Sequence, residues 1–334
     1  MYKATLIPGD GIGPEVISAA TSVIEAAGVD IKWDEKQVGQ AAMAKYNNPL
    51  PEDTINSIEI NRIALKGPTT TEIGKGFRSA NISLRQRLNL YANIRPIKTI
   101  EGAKTKYRDV DLVIFRENTE DLYMGIEHMI GKDAAESIKI ITREASERIA
   151  SMAFSYAVKE KRKKVTCAHK ANIMKLSDGL FLSSVRSVAG KFPDIEYEEV
   201  IADGLFMNMV MNPQDYDVLV LPNLYGDLLS EMSAGLVGGL GVVPGVNIGV
   251  EAAVFEPTHG TALDIAGQGI ANPTAAILCG VMLLRHLGEK DAAERIYNSV
   301  SRVIKNGKHV TRDLGGTAST LDMTKAIIDS LPGS

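Results

Sequence analysis

At 334 residues the chain exceeds the size at which one hydrophobic core stops growing, about 250–300 residues, so two domains are expected. Lys and Arg number 37 against 41 Asp and Glu, a net charge of −4, which excludes a polyanion-binding surface and nucleic acid as a partner. With 45% apolar and 23% charged residues, the composition is that of an ordinary soluble globular protein.

Lys3 to Ile7 reads as a strand, so close to Met1 that no signal or transit peptide is expected. The loop Pro8-Gly9-Asp10-Gly11-Ile12-Gly13-Pro14 follows, then a helix from Glu15 to Ala27 with Val16, Ala20, Val23 and Ile24 on one face. This entry fails as a dinucleotide fingerprint, because G-x-G-x-x-G needs glycine where Pro14 stands. Its glycines still permit close approach of the backbone to a ligand. Arg62 to Leu65 is a second strand, entering Lys66-Gly67-Pro68-Thr69-Thr70-Thr71 and a glycine-bearing loop, Gly74 to Gly76.

Next comes RSANISLRQRLNLYANIRP, Arg78 to Pro96. Leu84, Leu88 and Tyr91 fall at i, i+4, i+7 and predict one helix. Ser79, Asn81 and Ser83 sit where an N-cap belongs, at the electropositive helix end. Arg78, Arg85, Arg87 and Arg95 beside these hydroxyl and amide groups suit a carboxylate-rich ligand; a solvated cationic face is the alternative.

Beyond a charged stretch ending at Asp109, short apolar strands recur: Val110 to Phe115, Val165 to Ala168, Val218 to Leu221 and Ala253 to Phe255. Each runs into a polar cluster, in turn REN-TEDLY, HKAN, PNLYGD and EPTHGT, and Arg143 to Lys161 reads as an amphipathic helix. In open α/β sheets ligands bind outside such strand ends. No linker separates two halves, so the domains are expected to interleave. The two cysteines, Cys167 and Cys279, are too few for a disulfide framework and fit a reducing cytoplasm. The longest apolar run, Ala275 to Leu284, is too short to span a bilayer, and no membrane partner is expected.

Asp227 and Glu231 lie four residues apart on a predicted helix, NLYGDLLSEMSAGL, with both carboxylates on one face. A hard divalent ion between them and a solvated helix start both fit. Ala202 to Met211, ADGLFMNMVM, is apolar almost all round if helical, which predicts a buried helix at a subunit interface, with Asp203 at its head. Tyr123 and Lys170, each past a strand end, are the candidate proton-transfer groups. The 5 histidines lack metal-ligand spacing; His259 is expected to touch a ligand with its ring or backbone.

Taken together, GDGIGPE, the arginine helix, FRENTEDLY, HKANIMK, NLYGDLLSE and EPTHGTALDIAGQGIANPTA resemble, over nearly the whole chain, the β-decarboxylating dehydrogenases. That family includes isocitrate, isopropylmalate and homoisocitrate dehydrogenases. The resemblance implies an α/β fold of two domains with the active-site cleft between them, not a Rossmann fold. A large cofactor-binding domain is expected from residues 1–98 and 237–334, and a small domain carrying the dimer interface from residues 99–236. It further implies a homodimer with shared active sites, which the sequence leaves open to higher assembly. Arg85, Arg95 and Arg116 match the arginines that hold the malate moiety of the substrate. Tyr123 matches the acid that protonates the enolate, and Lys170, reaching across the dimer, the base that takes the hydroxyl proton. Asp227 and Glu231 of one subunit, with Asp203 of the other, match the Mg²⁺ or Mn²⁺ ligands. Glu231 stands where the family usually has Asp and reaches one methylene further.

Ser79-Ala80-Asn81 matches the Ser-x-Asn of isocitrate enzymes. An apolar isopropyl group would leave these donors unpaired in a closed site. The implied reaction is oxidative decarboxylation of isocitrate to 2-oxoglutarate and CO₂, a tricarboxylic acid cycle step; homoisocitrate dehydrogenase and a regulatory subunit of a hetero-oligomeric isocitrate dehydrogenase are the alternatives. NADP-dependent relatives put Lys-Tyr where Asp264-Ile265 stands. An acid there accepts from both ribose hydroxyls and repels a 2′-phosphate, so NAD is expected, with Arg312 leaving room for residual NADP use. Thr70, His259, Gly260 and Asn272 match further cofactor contacts.

Overall fold

A computed structural model describes residues 1–71 and 79–332; Arg78 and the loop Gly74 to Gly76 lie outside the described residues. The chain divides into two compact units, Met1–Leu88 with Lys98–Arg108 and Ala234–Ser334, and Asn89–Ile97 with Asp109–Ser233. These limits differ from the expected 1–98, 99–236 and 237–334. Residues 89–97 join the middle unit because their strand lies beside the next strand of that unit's sheet. Residues 98–108 stay with the chain ends, where a Cβ on Gly102 would meet the Ile304 carbonyl at 2.5 Å and Thr105 Oγ1 donates to the Leu236 carbonyl at 2.6 Å.

In chain order the first stretch holds β1 (Tyr2–Ile7), α1 (Gly13–Ala26), β2 (Ile31–Glu35), α2 (Gln40–Tyr46), α3 (Glu52–Asn61), β3 (Ile63–Lys66) and α4 (Ala80–Arg87). The middle holds β4 (Ala92–Lys98), β5 (Asp111–Glu117), a 3₁₀ turn (Asp121–Met124), β6 (Glu127–Ile130), β7 (Ala134–Ser137) and α5 (Arg143–Lys159). It continues through β8 (Lys164–His169), α6 (Ser177–Ala189), β9 (Glu196–Ile201), α7 (Ala202–Met211), β10 (Val218–Leu221) and α8 (Asn223–Val237). The chain returns with β11 (Val246–Ile248), β12 (Ala253–Phe255), α9 (Thr274–Leu287), α10 (Lys290–Asn306) and α11 (Thr320–Asp329). Among the described residues, no helix is long and apolar enough to cross a membrane.

In the first unit the strand order is β2-β1-β3-β12-β11. β1 pairs in parallel with β2 and β3, and β3 with β12, while β11 runs antiparallel to β12. β1, β3 and β12 therefore end at one edge, and the three loops leaving them meet there. The second unit has the order β4-β5-β10-β8-β9, with β5, β10, β8 and β9 parallel. β5, β8 and β10 are buried on both faces, which is why they read as short continuous apolar runs, whereas β9 is half-exposed along its length.

Two glycines of the first loop pack tightly against neighbouring backbone. A Cβ on Gly9 would lie 2.2 Å from the Pro68 carbonyl oxygen, and one on Gly11 2.0 Å from that of Thr261. Both residues also take positive φ, 79° and 60°. They let the β1 loop lie directly against the β3 and β12 loops. Gly11→Ala should therefore cost about 1–3 kcal/mol from the strained conformation alone, before the clash, read as a lower urea midpoint.

The arginine helix is shorter than its periodicity suggests. α4 ends at Arg87, and Asn89 adopts φ 45°, turning the chain toward β4. Leu88 is buried as the helix cap and Tyr91 already leads into the strand. α7 forms over the expected residues, but in the single chain only Ala202, Leu205 and Met209 are buried, while Met207 and Met211 are 58% and 64% exposed. The antiparallel hairpin β6–β7 has no counterpart in the sequence reading; both strands are exposed along their whole length.

Candidate active site

In the second unit, the carboxyl ends of β5 and β10 bring Arg116 and α8 to one edge of the sheet. Arg116, 1% exposed, has its guanidinium fixed from two sides. Asn223, at the start of α8, accepts from Arg116 Nε and Nη2 at 2.9 and 2.6 Å through Oδ1. Asp227, one turn on, accepts from Arg116 Nη1. Tyr123, on the 3₁₀ turn, donates its hydroxyl to the other Asp227 oxygen at 2.5 Å and lies under the Arg116 guanidinium, 4.9 Å from ring centroid to Cζ. From β4, Arg95 donates to Ser230 Oγ at 2.5 Å and lies 3.5 Å from Asp227. Gly226 passes flat against Arg116, where a Cβ would come within 2.6 Å of the arginine Cβ. The outcome is two buried cations and a phenol gathered around one carboxylate. Such buried arginine forks are built to receive further carboxylates.

Lys170 and Asp203 form a second group. β8 ends at His169, and Lys170 Nζ lies 2.5 Å from Asp203 Oδ1 at the head of α7. Asp203 is 70% exposed at its side chain, and the Lys170 ammonium holds its carboxyl below the usual range. Among the described residues no three His, Cys, Asp or Glu converge as a ligand set. Asp227 and Glu231 stand one turn apart on α8, with Glu231 exposed; Asp203 is with Lys170. Two carboxylates at i and i+4 are hard oxygen donors of the kind a divalent cation takes.

In the first unit, buried Asp10 ties the β1 loop to the β3 loop and to the start of α2, while Ile12 N donates to the Thr261 carbonyl of the β12 loop. The Asp10 carboxylate accepts from the backbone of Gln40 and, at 2.8 Å, of Thr70. Thr70 Oγ1 lies 3.5 Å from Thr261 Oγ1. Lys66, fully buried at the end of β3, donates to Glu256 at 2.6 Å past β12 and to the Gly67 carbonyl at 2.9 Å; burial pulls its pKa down while Glu256 opposes this. His259 Nδ1 lies 3.0 Å from the Gly260 carbonyl, and burial lowers the ring's pKa, which favours neutral imidazole. Asn272 donates to Asp313 at 2.8 Å. Asp264 and Ile265 occupy a turn, with Asp264 exposed. On α4, Ser79 holds the N-cap position without capping the helix; its hydroxyl accepts from Thr71 at 3.1 Å, and Asn81 Oδ1 accepts from Thr69 at 2.9 Å. Arg85, half-buried on the same helix, is close enough to Lys66 to depress its pKa further.

Asn223, Ser230, Asp10, Lys66 and Glu256 escaped the sequence reading. Lys66 carried a signal, a lysine ending an apolar strand beside Gly-Pro; the others are ordinary polar residues whose partners lie 30 or more positions away.

The FRENTEDLY segment carries a buried carboxyl of its own. Glu120 accepts from Thr142 N and Oγ1, both at 2.8 Å, at the N-cap of α5. Burial pushes its pKa from 4.5 up to about 7. A carboxyl raised on folding holds its proton more tightly in the folded state, so stability falls as pH rises from about 4.5 to 7 and then levels. Glu120→Gln should remove that slope. Relative to wild type, its urea stability should improve from pH 4 to pH 8 by on the order of 3 kcal/mol.

Buried arginines and a phenol gathered around Asp227 suit recognition of a carboxylate-bearing substrate. The chain matches the isocitrate/isopropylmalate dehydrogenase family over residues 3–328 and belongs to it. It is 53% identical over 330 residues to mitochondrial NAD isocitrate dehydrogenase catalytic subunit 6 of Arabidopsis thaliana, covering 98% of this chain and 88% of that one. It is 50% identical to a regulatory subunit of the mitochondrial NAD isocitrate dehydrogenase of Dictyostelium discoideum, covering 100% and 93%. The crystal structure of isocitrate dehydrogenase from Methylococcus capsulatus superposes with a TM-score of 0.97 at 54% identity, covering 99% of each chain. The expected family and fold class are thereby borne out.

Proposed function

We propose that the chain oxidises isocitrate at C2 and decarboxylates it to 2-oxoglutarate and CO₂, as a step of the tricarboxylic acid cycle. NAD⁺ takes the hydride, with a divalent metal, Mg²⁺ or Mn²⁺, present. The observation that carries this reading is the Arg95–Arg116–Tyr123–Asp227 cluster, in a chain about half identical to NAD isocitrate dehydrogenase subunits.

Arg95 and Arg116 hold substrate carboxylates by paired N–H donors. Lys170 removes the C2 hydroxyl proton, and Tyr123 returns a proton to C3 after CO₂ departs. Ser79 and Asn81, with Arg85 from the same helix, receive the carboxylate that distinguishes isocitrate. Asp227 and Glu231, with the partner's Asp203, would hold the divalent cation, which would supply Lewis-acid polarisation of a bound oxygen. Thr70, His259, Gly260 and Asn272 hold the nicotinamide cofactor, and Asp264 with Ile265 selects NAD over NADP through the ribose hydroxyls.

The working form is a homodimer. An isolated two-stranded hairpin is marginal in water, yet β6–β7 is exposed throughout, with Met129 and Ile130 at 64% and 57%, and α7 presents an apolar face. Both features support pairing with a second copy. Lys170 and Asp203, the groups assigned to act across that dimer, stand together on an exposed part of the unit. Both cysteines are free thiols, in keeping with work in the cytoplasm.

Purified protein with isocitrate, Mn²⁺ and either NAD⁺ or NADP⁺ tests this reading. Reduced nicotinamide should form faster with NAD⁺, and faster than with homoisocitrate; no signal with either cofactor removes it. The Dictyostelium relative keeps a second reading in play, that of a regulatory subunit. That reading requires the purified chain to be inactive alone, whereas Tyr123, Lys170, Asp203 and Asp227 are all retained.

A further inference from the structure

Beyond the substrate-facing residues named above lies a buried charge network. Asp121 and Asp178 are each 0% exposed, and Lys139 sits between them with its side chain 11% exposed. Lys139 Nζ is 2.7 Å from Asp178 Oδ1 and 3.6 Å from Asp121 Oδ1. It also lies 4.5 Å above the Tyr225 ring, whose hydroxyl hydrogen-bonds to Asp178.

Each carboxylate uses its other oxygen on a different catalytic segment. Asp121 Oδ2 accepts from Leu224 N at 2.9 Å, at the start of α8, one turn before Asp227. Asp121 Oδ1 accepts from Leu122 N at 2.8 Å, inside the turn that carries Tyr123, and Asp121 itself takes φ 71°. Asp178 Oδ2 accepts from Lys170 N at 2.7 Å. The proton donor, the proton acceptor and the Asp227 helix thus hang from two acids that one ammonium holds together.

Removing that ammonium leaves two buried carboxylates facing each other unscreened, which the interior does not tolerate without movement. A non-glycine residue at positive φ persists only where its surroundings over-determine it. Asp121 meets that condition through Leu122, Leu224 and Lys139, and its own N–H donates to the Ile140 carbonyl at 2.8 Å. Lys139 also follows β7 by two residues, so it joins this network directly to the exposed hairpin.

We propose that Lys139 is a positioning residue: it clamps Asp121 and Asp178 so that Tyr123, Lys170 and Asp227 are aligned, and it makes that alignment depend on the seating of the hairpin. The proposal rests on the isocitrate reading above. Arg116 is held by Asn223 and Arg95 by Ser230, so substrate binding should suffer less than turnover.

The test is Lys139→Cys in the full-length protein. A misplacement of about 1 Å in a catalytic group costs about 100-fold in rate. The variant should lose about that in kcat while KM for isocitrate stays within about threefold. Alkylating the new thiol with 2-bromoethylamine, where the thiolate displaces bromide, rebuilds a lysine-like ammonium and should restore most of the lost kcat. Iodoacetamide, which adds volume without charge, should not. Cys167 and Cys279 are fully buried and stay out of the reaction. A kcat within threefold of wild type, or equal rescue by iodoacetamide, overturns the proposal. Should Lys139→Cys not fold, Asp178→Asn keeps an acceptor for the Lys170 amide and must show the same kcat loss at unchanged KM; wild-type kcat there overturns it as well. Failure of the wild-type protein itself to oxidise isocitrate would instead remove the functional reading, so the two failures are distinct.

Discussion

Lys170→Met lowers kcat for isocitrate oxidation by about 10³-fold, within the 10²–10⁴ that a positioned general base supplies, with KM changed only a few-fold. The structure separates this side chain's chemical part from its structural part. The loop after β8 is held through the Lys170 backbone, whose N–H donates to Asp178 at 2.7 Å, and methionine keeps that bond. Only the ammonium and its 2.5 Å contact with the exposed Asp203 are removed. An exposed pair of this kind is worth little to stability, so Tm should stay close to wild type. Met nearly matches lysine in length and apolar volume, which limits repacking. Steady-state kinetics with isocitrate and NAD⁺, alongside thermal melts, reads the result. Turnover at the wild-type rate in the folded variant would strip Lys170 of its role as base.

The contrast between what the residues announced and what they concealed follows the range of the interactions. β5, β8, β10 and β12 were legible because strands buried on both faces leave continuous apolar runs. The ends of those strands marked the site, since polar clusters break each run where ligands bind. α4 was over-extended because Leu88 and Tyr91 keep helical spacing; the residue that overrides it, Asn89 at φ 45°, is a local backbone choice that periodicity does not register. The glycines of the first loop signal close approach without saying which backbone approaches. The partners proved to be Pro68 and Thr261. Lys139 and Asp121 were invisible for a different reason: the residues they bridge, 121, 178 and 224, are brought together only by the fold. The hairpin β6–β7 buries nothing in the single chain, so it has no hydrophobic pattern to read.

Ser79→Glu lowers kcat/KM for isocitrate by about 10³-fold. Two like charges about 4 Å apart interact by about 4 kcal/mol at an effective dielectric of 20, and each 1.36 kcal/mol is tenfold in rate. The native donors are already oriented for an anion. Asn81 Oδ1 accepts from Thr69 at 2.9 Å, which turns its amide NH₂ outward as donor, and Ser79 Oγ accepts from Thr71 at 3.1 Å, which leaves its own proton to give. Ser79 spends neither on capping α4, so the fold does not need its hydroxyl. A glutamate at that position suits the electropositive end of the helix and should hold or slightly raise Tm. The loss must then come from repulsion of the substrate carboxylate, with the electrostatic signature of weakening at high salt. Ser79→Ala, which deletes a single hydrogen bond to a charged group worth about 1.5–3 kcal/mol, should fall well short of it, at roughly 10- to 100-fold. An unchanged kcat/KM in Ser79→Glu would mean that the distinguishing carboxylate binds elsewhere, and that Ser79 and Asn81 do not choose the substrate.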